Sequence, residues 1–318
     1  PSKSSSSLLV NGSRKITTTR SQSNSRIHMV ATSPPPSSSS SSSSSSNPRI
    51  TNDQIRDLHE NGYVIIPNFI SGELVSRLRD DVSNLRSLQK FNVAKIGQDS
   101  TNSLNTDIRI AETCFIGESK LQDVKNTARD DELYTILDTV RNDLSGNPML
   151  DNTDSNTGEL IKASPALDKS LTELLYAYYP KGGFYRRHTD AVPNSASILR
   201  SYSLLLYLND GPWDSDANGG CLRIHLDSGK DYLPQNEAPN YVDVSPDGGT
   251  LVLFRSEQIP HEVLDTAAER TAVVGWYNRP YTSADISSLA SEEDKVRGVM
   301  LMVAAGLVTF GVASILLG

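Results

Sequence analysis

Residues 201–208, Ser-Tyr-Ser-Leu-Leu-Leu-Tyr-Leu, form an apolar segment in the middle of the region that decides the fold. Similar short segments lie on both sides of it and are separated by Gly, Pro, Asn and Asp. Short strands between such turn residues predict a β-sandwich or jelly roll. The predicted strands are 174–179, 201–208, 221–226, 250–254, 262–264 and 271–277.

The region before these strands is predicted to supply helices. Thr51-Asn52-Asp53 is typical of a helix start, and Gly62 is positioned to end that helix. Ser71 is positioned to cap a second helix. The apolar residues of this second helix recur at helical spacing and are Leu74, Val75, Leu78, Val82 and Leu85. A strand at 108–116 and a third helix around 133–144 are predicted to follow.

Composition divides the chain into five parts. Residues 1–50 are rich in Ser and carry no acid, which predicts a disordered targeting or linker segment. Residues 51–170 form the helical and strand support, and 171–283 form the β-rich core. Residues 284–297 are polar and predict a stalk, and 298–318 carry no charged side chain.

The two ends suggest where the protein resides. A helix over 298–318 would span roughly 30 Å, so this segment predicts a transmembrane helix and a single-pass C-terminal anchor. Lys295 and Arg297 favour the cytoplasmic side for the body of the protein. The basic, Ser-rich segment 1–50 is typical of an organelle transit peptide or of a disordered linker that carries no targeting signal. The organelle therefore stays open between the endoplasmic reticulum and a plastid or mitochondrion.

The overall charge and the cysteine count exclude two protein classes. The formal net charge of −8 argues against nucleic acid as a partner. Two cysteines are too few for a fold held by disulfides, and a reducing compartment is the natural expectation.

Three residues in the β-rich region have the types and spacing of a metal site. His188-Thr189-Asp190 is a His-x-Asp sequence, and residues two apart in a strand project to the same face. His261 follows at the start of another predicted strand. Two histidines and one carboxylate form a facial triad, which leaves coordination positions open and suits non-haem Fe(II).

Arg270 adds a second feature beside this triad. In a symmetric hairpin that turns at 266–269, positions 261 and 270 would face one another and point into one barrel mouth. A metal with open sites beside a buried guanidinium suits a dicarboxylate that chelates at one end and meets N–H donors at the other. Tyr179 and Tyr207, expected on neighbouring strands, would add hydroxyl donors.

Other interpretations of these residues stay open at this point. His225 is an alternative ligand, but it shares a strand face with Arg223 opposite apolar neighbours, so we expect it to be exposed. An unrelated metal-binding cupin is a second alternative, although Arg270 disfavours it. Each residue taken alone is more often structural than functional.

Six segments between Tyr178 and Tyr277 carry a resemblance to a known family. They are Tyr178-Tyr179-Pro180, Tyr185-Arg186-Arg187-His188-Thr189-Asp190, Leu206-Tyr207-Leu208-Asn209, Gly219-Gly220-Cys221-Leu222-Arg223-Ile224, Pro260-His261-Glu262-Val263 and Arg270-Thr271-Ala272-Val273-Val274-Gly275-Trp276-Tyr277. Here the chain resembles the 2-oxoglutarate- and Fe(II)-dependent dioxygenases, specifically the prolyl 4-hydroxylase family. It is most similar to the oxygen-sensing prolyl hydroxylases that modify hypoxia-inducible factor. A looser similarity covers 54–116.

The resemblance implies a mainly β fold, a double-stranded β-helix (jelly roll) with flanking helices, and a dioxygenase core at 171–283. It implies that His188, Asp190 and His261 hold Fe(II). It also implies that Arg270 binds the distal carboxylate of 2-oxoglutarate, with Tyr207 beside it. The remaining pocket-lining residues implied are Tyr179, Leu222, Val263 and Trp276.

The same resemblance implies a reaction and its partners. A prolyl residue in a protein or peptide is hydroxylated, O2 is consumed, succinate and CO2 are released, and L-ascorbate keeps the iron reduced. The substrate is expected as an extended segment near 92–106, Arg109 and Tyr185. Val274 departs from the oxygen sensors, which carry threonine there. The alternatives are the same chemistry on another side chain or a small molecule, and a membrane-tethered binding module without catalysis.

Overall fold

Two antiparallel β-sheets face each other, and helices cover the outer side of the larger sheet. The computed structural model describes residues 49–96, 103–117, 120–153, 160–161, 166–193, 195–226, 240–282 and 285. The strands are β1 (Tyr63–Ile66), β2 (Asn92–Val93), β3 (Arg109–Ile110), β4 (Glu112–Phe115), β5 (Asn152–Thr153), β6 (Leu160–Ile161), β7 (Leu174–Tyr179), β8 (Phe184–His188), β9 (Arg200–Tyr207), β10 (Leu222–His225), β11 (Tyr241–Val244), β12 (Leu251–Arg255), β13 (His261–Val263) and β14 (Arg270–Asn278). The helices are α1 (Asn52–Asn61), α2 (Gly72–Ser87), α3 (Tyr134–Leu144) and α4 (Ser215–Asn218), with a π-helical segment at Ala128–Leu133 and 3-10 turns at Pro148–Leu150 and Ala196–Leu199.

From β7 to β14, strands that follow one another in the chain alternate between the two sheets, except that β10 and β11 both belong to the smaller sheet. The larger sheet has the order β1-β12-β9-β14-β7-β4-β2, and the smaller has the order β11-β10-β13-β8-β3. β5 and β6 form a separate pair. This arrangement is that of a jelly roll, so the prediction of a mainly β fold with flanking helices fits the structure.

The central strands of the larger sheet are buried on both faces. Residues that alternate along β7, β9 and β12 project to opposite sides. Those that pack against the helices are Leu174, Tyr176, Leu204, Leu206, Leu251 and Leu253. Those that pack toward the smaller sheet are Leu175, Ala177, Leu205, Tyr207, Val252 and Phe254. Burial of both faces explains why these segments read as continuous apolar runs.

The first two helices begin where the capping residues predict. Thr51 accepts a hydrogen bond from the backbone N–H of Gln54, whose side chain accepts one from the Thr51 N–H in return, as in a capping box. Gly62 ends α1 with a φ of 78°, a conformation that favours glycine. Ser71 accepts from the Leu74 N–H at the start of α2. The predicted apolar face of α2 is buried.

Three predictions about strands are wrong. The strand predicted at 108–116 is divided, since β3 belongs to the smaller sheet and β4 to the larger. β13 and β14 do not form a hairpin, because β13 pairs with β8 and β10 whereas β14 pairs with β7 and β9. Tyr179 and Tyr207 are not on neighbouring strands, because β14 lies between β7 and β9.

The predicted membrane anchor is also corrected. Within the described ranges, no helix combines the length and the apolar character needed to cross a bilayer. The longest of them, α2, has 16 residues, which corresponds to about 24 Å, less than the ~30 Å of a hydrocarbon core. This finding overturns the single-pass anchor, the membrane as a partner and the cytoplasmic-side placement. Residues 298–318 themselves lie outside the described residues, as do 1–48 and 286–297.

Candidate active site

The smaller sheet places two histidines opposite each other. His188 ends β8, His261 begins β13, and the two residues are cross-strand partners. Their ring centres are 4.3 Å apart. Asp190 lies two residues beyond the end of β8. The three residues form a group whose ligand atoms all lie within 4.8 Å of one another, so the predicted triad is brought together.

Backbone hydrogen bonds fix the orientation of both rings. The Nδ1 of His188 lies 2.8 Å from the carbonyl oxygen of Arg186, and the Nδ1 of His261 lies 3.0 Å from that of Ile259. Each Nδ1 therefore carries the ring proton and donates a hydrogen bond to the carbonyl oxygen. This leaves Nε2 with a free lone pair. These Nε2 atoms face Asp190, at 3.6 Å from Oδ1 for His188 and 3.7 Å from Oδ2 for His261.

The electrostatic surroundings favour the ligand forms of the triad. Burial by itself would raise the pKa of Asp190, but the nearby His261 and His188 and a Ser203 hydrogen bond hold that pKa well below its usual range. Burial and the neighbouring His188 lower the pKa of His261 to about 4. A carboxylate and a neutral imidazole at neutral pH are the forms that bind metal ions.

Arg270 lies in the other sheet and is fully buried. Its Nε donates to the carbonyl oxygen of Gly220 over 2.9 Å. Its Nη1 and Nη2 are buried and have no hydrogen-bond partner among the described residues. The guanidinium carbon lies 5.0 Å from the ring centres of both Tyr179 and Tyr207.

The hydroxyl of Tyr207 resembles the guanidinium of Arg270 in its surroundings. Within the described part of the chain, its hydroxyl is also buried without a hydrogen-bond partner. Burial raises the pKa of Tyr207 to about 12, although Arg270 opposes the shift, so the phenol stays protonated and is available as a donor. Buried unpaired donors are costly. A carboxylate would satisfy both Arg270 and Tyr207, so the residues present fit the distal end of 2-oxoglutarate.

The other residues expected to line the pocket lie in or against the core between the sheets. Leu222 and Val263 are directly paired across β10 and β13, and both are buried. Tyr179 belongs to the same core, and Trp276 packs against it. Phe254 connects this core to the triad, since its ring centre is 4.5 Å from that of His261.

Arg109 and Tyr185 form a stack that begins at the triad. The Tyr185 ring stacks on the His188 ring with 3.6 Å between centres. The Arg109 guanidinium lies 4.5 Å from the Tyr185 ring centre, and the two residues are partners across β3 and β8. Burial raises the pKa of Tyr185 to about 12.

Ser203, Ser256 and Arg200 contact the triad or its neighbours but were not predicted. The Ser203 Oγ donates to Asp190 Oδ2 over 2.7 Å and lies 2.9 Å from the Ser256 Oγ. The Arg200 Nη1 donates to the Asp190 carbonyl oxygen over 3.1 Å. The available signal was Ser203, which precedes the apolar residues 204–208 in the predicted strand, because a buried hydroxyl needs a partner.

His225 does not join the triad. Its side chain lies on β10 and is half-buried rather than exposed as predicted, with Nε2 3.2 Å from Glu262 Oε1. Its neighbour Arg223 pairs with Asp243 at 2.8 Å. The prediction that His225 is not a ligand is consistent with this placement.

Comparison with known proteins supports this geometry. Residues 174–278 match a family model described as the 2OG-Fe(II) oxygenase superfamily. A Pseudomonas putida prolyl-4-hydroxylase structure is 26% identical with a TM-score of 0.51, over 72% of this chain and 98% of that one. A Trichoplax adhaerens prolyl hydroxylase, solved with a hypoxia-inducible factor peptide fragment, is 24% identical with a TM-score of 0.54, over 75% of this chain and 90% of that one.

The matched region contains every member of the triad and Arg270. The metal-ligand geometry and the unpaired guanidinium are the two features that Fe(II) and 2-oxoglutarate require. Residues 174–278 therefore form a 2OG-Fe(II) oxygenase domain, which implies Fe(II) and 2-oxoglutarate and the activity of a dioxygenase.

Proposed function

We propose that this dioxygenase hydroxylates a prolyl residue in a protein or peptide. The observation that carries the proposal is the triad of His188, Asp190 and His261 together with the unpaired guanidinium of Arg270. The similarity to the Pseudomonas putida prolyl-4-hydroxylase supports proline as the target.

The chain's own residues divide the binding work between the two sheets. The triad holds Fe(II) through two Nε2 atoms and the Asp190 carboxylate. Arg270 and Tyr207 would donate to the distal carboxylate of 2-oxoglutarate, and the Tyr179 ring centre lies 5.0 Å from the guanidinium carbon, as that of Tyr207 does. When bound, the metal and co-substrate activate O2 and supply the oxidising power for C–H hydroxylation.

Apolar side chains restrict the remaining space in this site. Leu222 and Val263 form the wall on the smaller sheet, and Trp276 lies on the larger. These side chains exclude water and so strengthen the contacts of Arg270 and Tyr207 with the co-substrate. L-ascorbate serves to return oxidised iron to Fe(II).

Arg109 and Tyr185 bind the substrate at the outer side of the triad. Their stack begins on the His188 ring, so a prolyl ring that reaches the metal passes beside Tyr185. The buried Nε of Arg109 has no hydrogen-bond partner in the described ranges and is available to a substrate carbonyl or carboxylate. An extended peptide beside 92–96 and 103–106 presents the proline in this arrangement; residues 97–102 of the segment expected from the sequence lie outside the described residues.

Hydroxyproline formation tests the proposal directly. The purified full chain is incubated with Fe(II), 2-oxoglutarate, ascorbate and a protease digest of a cell extract under isotopically labelled O2. Mass spectrometry is expected to find labelled hydroxyproline and an equal amount of succinate. A synthetic copy of each labelled peptide with Pro replaced by Ala is expected to remain unmodified.

Two outcomes would contradict the proposal in different ways. Label on other side chains or on small molecules only, with succinate formed, would retain the dioxygenase and reject proline as its target. Absence of both label and succinate, in a preparation that binds Mn(II) and 2-oxoglutarate, would reject catalysis itself.

A further inference from the structure

Two buried serines from the larger sheet lie behind the metal ligand Asp190. Ser203 is on β9 and Ser256 directly follows β12, the neighbouring strand. Both residues have no exposed surface. The Ser203 Oγ is 2.7 Å from Asp190 Oδ2 and 2.9 Å from the Ser256 Oγ.

Chemistry fixes the direction of these hydrogen bonds. An ionised carboxylate accepts and cannot donate, so the Ser203 hydroxyl must be the donor of its hydrogen bond to Asp190. The Ser203 oxygen then has lone pairs left, and Ser256 donates to them. The result is a relay in which Ser256 orients Ser203, and Ser203 orients Asp190.

The relay engages the two oxygens of Asp190 unequally. Oδ2 accepts the Ser203 hydroxyl over 2.7 Å, whereas Oδ1 lies 3.6 Å from the His188 Nε2. The backbone is held as well, because Arg200 donates to the Asp190 carbonyl oxygen and the Ala191 N–H donates to the Ser256 carbonyl oxygen. Hydrogen bonds therefore hold both the side chain of Asp190 and the backbone around it.

We infer that Ser203, supported by Ser256, is a positioning residue that keeps Asp190 a one-oxygen metal ligand. An octahedral ion held by three ligand atoms has three free positions, whereas a carboxylate that binds through both oxygens would leave two. A bidentate co-substrate and O2 need three. The larger sheet thus controls how many positions the metal offers, although all three metal ligands belong to the region of the smaller sheet.

Metal binding alone tests this inference, so its result does not depend on the identity of the substrate. Mn(II) serves as the probe because it does not oxidise readily in air. Ser203→Ala is expected to weaken Mn(II) binding by about 10- to 100-fold, the usual effect of removing a hydrogen-bond partner of a metal ligand. Water-proton relaxation is expected to show two bound waters on Mn(II) in place of three, and Ser203→Thr is expected to restore both values.

Two further variants separate positioning from loss of structure. Ser201→Ala removes a hydroxyl from the same strand that is not hydrogen-bonded to Asp190, and it is expected to bind Mn(II) as the unmodified chain does. Ser256→Ala is expected to weaken binding only several-fold, because Ser203 keeps its own hydroxyl. If Ser203→Ala has a lower unfolding temperature without metal, the Mn(II) affinities of Ser256→Ala and Ser201→Ala are compared instead. A weaker affinity in Ser256→Ala alone supports the inference. Unchanged affinity and water number in a folded Ser203→Ala or in Ser256→Ala would overturn the inference.

Discussion

Each histidine of the proposed metal site is oriented by a backbone carbonyl two residues before it. His188 uses the carbonyl of Arg186, and His261 uses that of Ile259. The partner is a main-chain atom, so the side chains at 186 and 259 can vary without loss of the correct tautomer. The two histidines cannot be replaced in the same way, because only an imidazole places an Nε2 lone pair at these positions on β8 and β13.

His188→Ala is expected to abolish the metal site. Removal of one of three ligands leaves two, and a site of two ligands does not hold a labile divalent ion at micromolar concentration. We expect Mn(II) affinity to fall by more than about 100-fold, a greater loss than that caused by loss of an outer partner. Isothermal titration with Mn(II) measures the affinity, and succinate release with Fe(II) measures the activity.

His225→Ala is the matched control for this prediction. His225 lies on β10, the strand beside β13, and pairs with Glu262 outside the triad. We expect its Mn(II) affinity and succinate release to remain close to those of the unmodified chain. Equal losses in the two variants would mean that the triad is not the metal site.

Arg270→Met is expected to abolish 2-oxoglutarate binding without unfolding the protein. Truncating one partner of a buried charge pair costs about 2–5 kcal/mol, so the dissociation constant is expected to rise at least about 30-fold. Without ligand the guanidinium is buried and only partly hydrogen-bonded, so its replacement by an apolar side chain of similar length relieves a desolvation cost. The readout is the unfolding temperature with Mn(II), with and without 2-oxoglutarate.

Arg255 provides the control for the loss of a buried arginine. It ends β12, is buried, and its Nη2 lies 3.4 Å from the Nδ1 of His59 on α1. In Arg255→Met the co-substrate is expected to raise the unfolding temperature as it does in the unmodified chain. An intact response to 2-oxoglutarate in Arg270→Met would disprove the role of Arg270.

At the scale of the elements, one buried ion pair joins three parts of the fold. Arg129 in the π-helical segment donates to Asp81 on α2 over 2.9 Å, and both side chains have no exposed surface. The Tyr176 hydroxyl on β7 donates to the same carboxylate over 3.0 Å. The cluster therefore fixes α2 and the segment before α3 against the outer face of the larger sheet.

Asp81→Ala is expected to lower the free energy of unfolding by about 3 kcal/mol, because it leaves Arg129 buried with one fewer anion and Tyr176 without its acceptor. Urea unfolding measures the change. Glu132→Ala removes the partner of Arg77 from a largely exposed pair, and it is expected to cause no measurable loss. A similar loss in both variants would mean that burial does not determine the contribution of these pairs.

Local signals in the sequence predicted the helices and most strands of the larger sheet. Capping residues located the starts of α1 and α2, and apolar runs located β7, β9, β12 and β14. β8 was absent from the predicted strands because Tyr185-Arg186-Arg187-His188 has a solvated outer face and no apolar run. The hairpin between His261 and Arg270 was wrong because pairing in a jelly roll depends on distant strands, about which a local turn carries no information.

The candidate site, like the fold, could be predicted only where the sequence signal is local. His188, Asp190, His261 and Arg270 could be proposed from the sequence because their residue types and spacing fit a facial triad beside a guanidinium that binds a carboxylate. Ser203 and Ser256 could not be assigned, because serine is common in strands and their partnership joins β9 to the end of β12. Their function depends on contacts between residues that are far apart in the chain.

At the scale of the whole molecule, the two sheets carry different halves of the site. The triad belongs to the region of β8 and β13 in the smaller sheet, whereas Arg270 and Tyr207 belong to β14 and β9 in the larger. A ligand that chelates the metal and also reaches Arg270 contacts both sheets at once. Binding of the metal and of 2-oxoglutarate should therefore be thermodynamically coupled.

We expect bound Mn(II) to tighten 2-oxoglutarate binding by at least about 10-fold, and 2-oxoglutarate to tighten Mn(II) binding by the same factor, since coupling free energies are reciprocal. Calorimetric titration in both orders measures the two factors. Glutarate is the matched control, because it keeps both carboxylates but lacks the keto oxygen needed for chelation. It is expected to bind Arg270 weakly and to show little coupling to Mn(II). Coupling as strong with glutarate as with 2-oxoglutarate would mean that the metal acts on the dicarboxylate through charge alone, and that no single ligand joins the two sheets.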